Sequence, residues 1–289
     1  MSANAFFSKC RNVLLLVVIF SFAASLPAQE LVPGKVAEIT FPKETLPKTL
    51  YSIVSGEDVS PCMTVRLPDD YNPEKSYPLL VYLKGRDGGK NGNISVAHEI
   101  AGSKGWILAS LPLFKKSVDK EEMYGGIIVS FDDYPVISKA YSTMLGKLFE
   151  LVPNIDSDKS AMVGFSNGAY TIAMLVSCQD EFVLNHFRNF GLVDSGYWYL
   201  NGLHKRALDK SRFLLLVGDR KDPQRNILIR QAQMISDSSE WVNAEVTLHF
   251  MKDTGHQFPF RYRQLVGKWL RNEVINESET PEKTNKPYS

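Results

Sequence analysis

An excess of charge of either sign is missing from this sequence. Its 289 residues carry 33 Lys and Arg against 32 Asp and Glu, a formal net charge of +1. That balance supplies no basic excess to attract nucleic acid and no acidic tail of the kind that keeps a chain disordered. Cysteine is scarce too. There are three, Cys10, Cys62 and Cys178, with no Cys-x-x-Cys pair, and the five histidines form no cluster. Nothing therefore points to a metal, and no cofactor signature is present. Internal repeats are absent. Long hydrophobic runs are limited to Val13–Phe20, which is short for a membrane-spanning helix.

That run has a context. Lys9 and Arg11 precede it, small residues follow, and Leu26-Pro-Ala28-Gln closes it. A charged start, a short apolar middle and a small-residue end read as a signal peptide over residues 1–28, with cleavage after Ala28 and a periplasmic or extracellular destination. No stable membrane association is expected after cleavage. Cys62 and Cys178 would then remain, either as a disulfide or as two separate thiols.

What is present is a rhythm of short apolar runs. Residues 29–48 are proline-rich and read as an N-terminal arm. Cys62–Leu67 alternates like a half-buried strand. Pro78–Leu83 and Trp106–Leu111 are unbroken apolar runs, as in strands covered on both faces. Ala161–Phe165, Phe190–Val193, Phe213–Val217 and Val246–Phe250 continue the series. Helix-spaced apolar residues lie at Tyr134–Val152, Ala169–Ser177, Asn226–Ile235 and Tyr262–Arg271. Strands alternating with helices predict one α/β domain over residues 49–275, a mostly parallel sheet with helices on both faces. Residues 276–289 read as a polar tail.

One stretch carries chemistry. Gly164-Phe-Ser166-Asn-Gly168 follows a predicted strand and opens a predicted helix. A serine held in a tight turn there projects above the carboxyl edge of the sheet, beside a helix N-terminus whose N–H groups can bind an oxyanion. Serine needs a base, and the base needs an orienting acid. His256, in Gly255-His256 after the last strand, is the candidate base. His249 lies within that strand and reads as packed. For the acid, Asp222 is preferred, Asp219 is the alternative, and Asp194 after the preceding strand ranks third. The backbone N–H groups of Arg86, in the glycine-rich loop after Leu83, and of Asn167 are the candidate oxyanion donors. Tyr197 and Trp198 are candidate substrate-stacking residues.

With these motifs in order the chain resembles the α/β-hydrolases, specifically secreted single-domain esterases related to polyhydroxybutyrate depolymerases and feruloyl esterases. The likeness rests on Leu67-Pro-Asp-Asp-Tyr71, Tyr77–Leu83, the Gly85–Gly89 loop, the Ser166 motif, Gly218–Asp222 and Gly255-His256. It implies Ser166 as nucleophile, Asp222 as acid and His256 as base, without cofactor. Where many relatives have His-Gly, this chain has Lys84-Gly85. The 56 residues from Ser166 to Asp222 leave no room for a large cap, so a small-molecule or polymeric ester can approach from solution.

Overall fold

The computed structural model describes residues 30–42, 45–46, 51–52, 60–85, 93–115, 129–200, 210–220, 223–242 and 244–275. The expected signal peptide, the polar tail, Arg86 and Asp222 lie outside these residues. Eight strands form one sheet: β1 (Val36–Thr40), β2 (Cys62–Arg66), β3 (Leu79–Leu83), β4 (Ile107–Leu111), β5 (Ala161–Phe165), β6 (Asn189–Val193), β7 (Arg212–Gly218) and β8 (Glu245–Met251). In space their order is β1-β2-β4-β3-β5-β6-β7-β8. The first two pairings, β1 with β2 and β2 with β4, are antiparallel, and every later pair is parallel.

The unbroken apolar runs are explained by the layers. On β3, Leu79, Val81 and Leu83 enter one core while Leu80 and Tyr82 enter the other. The first core is roofed by α2 (Tyr134–Leu151), α3 (Asn167–Ser177), α4 (Glu181–His186) and α5 (Pro223–Val242). The second lies under α1 (Ile94–Ala101) and α6 (Phe260–Leu270). A strand buried on both faces has no polar side to alternate with, which is why alternation fails there.

Several elements depart from the sequence reading: α4 was not expected, and β2, expected to be half-buried, is buried at four of its five residues. The arm expected at 29–48 contributes a strand, β1, in register with β2 from Val36 opposite Arg66 to Thr40 opposite Cys62. It is an edge strand with only Ile39 buried, so its composition looks like a loop. Helix α1 was not anticipated either. Its Val96, Ala97, Ile100 and Ala101 do recur at helical spacing, but over only eight residues. Cys62 and Cys178 form no disulfide with each other. Among the described residues no helix is long and apolar enough to cross a membrane.

Candidate active site

Because β5 to β8 are parallel neighbours, their carboxyl ends open onto one edge, and the loops leaving them meet. Ser166 sits between β5 and α3 with φ 54° and ψ −119°. This is the left-handed region that an L-residue adopts only under constraint. The constraint is close packing. A methyl added at Gly164 would come within 2.4 Å of the Gly168 carbonyl carbon, and one at Gly168 within 2.1 Å of the Leu83 oxygen. The strand and helix can therefore cross closely enough to force the turn. The Ser166 N–H donates to the Val193 carbonyl at 3.0 Å, which ties the turn to the end of β6.

The residue directly after β6 is Asp194. It is fully buried, with φ 58°, and its own N–H donates to Leu216 of β7 at 2.7 Å. His256 arrives from the loop after β8. Its Nδ1 lies 2.6 Å from Asp194 Oδ2, and its Nε2 lies 2.8 Å from Ser166 Oγ. The side chain of His256 is 45% exposed while that of Asp194 is 0% exposed. The reacting edge of the relay is open and its acidic end is sealed. Phe165 supports the imidazole from one side, ring centroids 4.9 Å apart, and Phe258 stacks on Phe165 in turn.

At the acid position, the described carboxylate beside His256 is Asp194, which directly follows β6. Asp222 lies outside the described residues, and the Nδ1 it was expected to engage is already bonded to Asp194. Asp219 is near but differently employed. Its Oδ1 accepts the Asp253 N–H at 2.5 Å, so it braces the turn that leads to His256. Neighbouring strand ends are close at this edge: the end of β6 meets the histidine and the end of β7 meets the loop that carries it, so strand count alone does not choose between them.

Asp194 is bonded on both oxygens. Oδ1 accepts from the Gly218 N–H at 3.0 Å and from Arg225 Nη1 of α5. No sequence pattern singled out Arg225, which is one of a series of charged residues on a helix. Its burial beside the acid is visible only after folding.

Tyr197, expected to stack on a substrate, is a correction. It is fully buried, donates its hydroxyl to Leu216 O at 2.6 Å and accepts the Asp194 N–H at 3.0 Å. Burial pushes that hydroxyl well above its ordinary value, and the Asp194 charge acts the same way. It supports the acid and has no face for a substrate. Trp198, by contrast, is 61% exposed. Next to it Tyr199 packs on Tyr170 of α3 at 5.3 Å and on Phe131 at 4.4 Å, an aromatic row that the sequence did not reveal because its members come from three elements. Burial raises the Tyr170 hydroxyl, a hydrogen bond to Ser195 opposes this, and the Asp194 charge raises it further.

Asn167 is the first residue of α3, and N–H groups of a first turn have no acceptor within their own helix. The loop after β3 passes close by, since a methyl added at Gly85 would come 2.9 Å from Ser166 Cβ. His249 is buried in β8, edge-on to Tyr262. Among the described residues no group of three or more His, Cys, Asp or Glu could hold a metal ion.

No protein-family model matches the sequence, and no curated protein does. Solved structures do. A carboxylesterase from Bacillus cereus superposes with a TM-score of 0.51 at 17% identity, over 73% of this chain and 93% of that one. The chain has the α/β-hydrolase fold. A thermostable esterase matches this hydrolase fold with a TM-score of 0.50 at 16% identity, over 82% of this chain. The chain spans 59% of that esterase's length. An acylaminoacyl peptidase from Pyrococcus horikoshii gives 0.52 at 12% identity, over 89% of this chain and 44% of its own. The narrower resemblance to polyhydroxybutyrate depolymerases and feruloyl esterases is carried by the sequence motifs alone.

Proposed function

We propose that this α/β-hydrolase chain is an exported serine hydrolase that cleaves carboxylic esters, with Ser166 as nucleophile, His256 as base and Asp194 as acid. The observation that carries the reading is the continuous relay from Ser166 Oγ through His256 to the sealed Asp194 carboxylate. His256 Nε2 takes the Ser166 proton as Oγ attacks the ester carbonyl. The oxygen of the tetrahedral intermediate, now negative, is met by the Asn167 N–H, with Arg86 in the neighbouring loop as the second proposed donor. Collapse breaks the bond to the alcohol, which leaves with the proton from His256. Water then repeats the sequence on the acyl-enzyme, releasing the acid and restoring Ser166. Asp194 keeps its charge throughout and holds the imidazolium between proton transfers.

The surroundings support a substrate class. Only α3, α4 and β6 lie between Ser166 and Asp194, so no inserted domain separates the serine from the acid. The Phe131–Tyr199–Tyr170 row and the exposed Trp198 suit a ring-bearing ester, either a polysaccharide-linked one or another bulky natural ester. The signal-peptide pattern supports export to the periplasm or beyond.

A serine peptidase is the second reading, favoured by the likeness to the Pyrococcus peptidase. Nitrophenyl esters and acyl-peptide nitroanilides assayed side by side divide the two. Ester turnover that disappears in Ser166→Ala is the expected result, and peptide turnover without ester turnover would install the peptidase. His256 must be neutral to act, so ester turnover falls on acidification. A rate that is flat from about pH 5 to about pH 8 would contradict a histidine base.

A further inference from the structure

Among the described residues, Arg225 is the charged group on Asp194 that the reaction as written does not use. It reaches the acid from α5 and is 7% exposed, against 0% for Asp194. Two ions withdrawn from water at this depth are retained only if they neutralise each other and fill their hydrogen bonds. Asp194 meets that condition: Oδ1 takes Arg225 and the Gly218 N–H, which leaves Oδ2 directed at His256.

We propose that Arg225 is a positioning residue for the acid, holding Asp194 ionised and oriented and so setting how far into acid the Ser166–His256 pair stays active. This rests on the serine-hydrolase reading above. The physical case is electrostatic. A carboxylate sealed from solvent gains a proton readily unless a cation stands beside it. The same cation offsets part of the carboxylate's pull on the proton of His256. A proton on Asp194 or on His256 silences the base equally, so loss of Arg225 displaces the acid limb of activity in one direction only, to higher pH.

The other groups around the pair do not substitute for it. Tyr197 and Tyr170 are neutral hydroxyls near Asp194. Asp219, just after β7, accepts the backbone N–H of Asp253 in the histidine loop, and both carry the wrong charge to stand in for a cation. Arg220 lies along Gly255, its Cδ 3.7 Å from where a methyl there would sit, and Lys84 precedes the loop beside Ser166. Neither makes an ion pair with Asp194.

The test uses the full chain and a fluorophosphonate, following phosphonylation of Ser166 by intact mass across pH in wild type, Arg225→Gln and Arg225→Lys. Gln keeps a donor and removes the charge, whereas Lys keeps the charge. The Gln variant's acid limb is expected to move up by about one pH unit, roughly tenfold slower labelling at its foot, while Lys stays close to wild type. An unmoved limb in the Gln variant overturns the proposal, whatever happens to its plateau rate, because a merely structural loss lowers labelling at every pH alike. Wild type that labels nowhere would instead sink the serine-hydrolase reading. Thermal stability then judges Arg225 by itself. Arg225→Gln strands a buried charge, so adding Asp194→Asn should restore most of the lost melting temperature, or restore folding if the single variant does not fold. No recovery in the double variant overturns the charge pairing.

Discussion

Tyr197 and Trp198 are adjacent and opposite in kind. Tyr197 links the backbone of Asp194 to Leu216 from within the core, and Trp198 faces solvent. Tyr197→Phe is expected to lower unfolding stability by about 1–3 kcal/mol in urea titration, since it strips a buried partner from the acid's own backbone. Trp198→Ala should change stability by no more than about 0.5 kcal/mol while raising KM for ring-bearing esters. A stability loss confined to Trp198→Ala would reverse the assignment. At this scale the meeting of Ser166 with His256 was legible, because glycine-serine-glycine and Gly255-His256 each come just after a strand. The carboxylate that bonds His256 was not, because any carboxylate at a strand end has the same local signature. What distinguishes Asp194 is its direct attachment to a fully buried strand and its partner Arg225, 31 residues on.

The element that holds Ser166 is the β5–α3 crossing. Its helix is buried on nearly every side, and Gly168 lies against the Leu83 carbonyl. Gly168→Ala has to push α3 off β3, at a cost of about 3 kcal/mol or more. The same shift would relax Ser166 and remove labelling even where the variant still folds. A Gly168→Ala protein with wild-type stability and labelling would show that close packing does not hold the turn. Elements were legible in proportion to their burial. Strands β3 to β7 stand out as apolar runs, whereas β1 shows one buried residue in five and α1 spans barely two turns. Edge strands and short helices take their stability from neighbours, and a local window does not contain the neighbours.

Across the whole molecule, parallel layering was legible from the alternation of strands and helices. The position of β4 between β2 and β3 was not, since crossover order is set by packing between distant segments. One global property follows from the layers. Burial raises the hydroxyls of Tyr82, Tyr141 and Tyr197 above their ordinary value of 10.0, Tyr82 despite the opposing charge of Arg263. Groups that hold their protons more tightly when folded stabilise fully below the unfolded value, and that contribution is lost as pH rises past it. Stability should therefore be insensitive to these tyrosines up to about pH 9 and decline above about pH 10. Denaturant midpoints at rising pH measure this, and Tyr197→Phe should flatten the decline. Equal stability at about pH 8 and about pH 11 would contradict tyrosine burial.

The relay drawn from β5, β6 and the loop after β8 is tested most directly by the rate of fluorophosphonate labelling at Ser166 in wild type, Asp194→Asn and Asp222→Asn. Asp194→Asn is expected to label roughly 10³–10⁴-fold more slowly, with Asp222→Asn within about twofold of wild type. The reverse pattern, with Asp194→Asn unimpaired and Asp222→Asn slow, would contradict the relay and return the acid to the loop after β7.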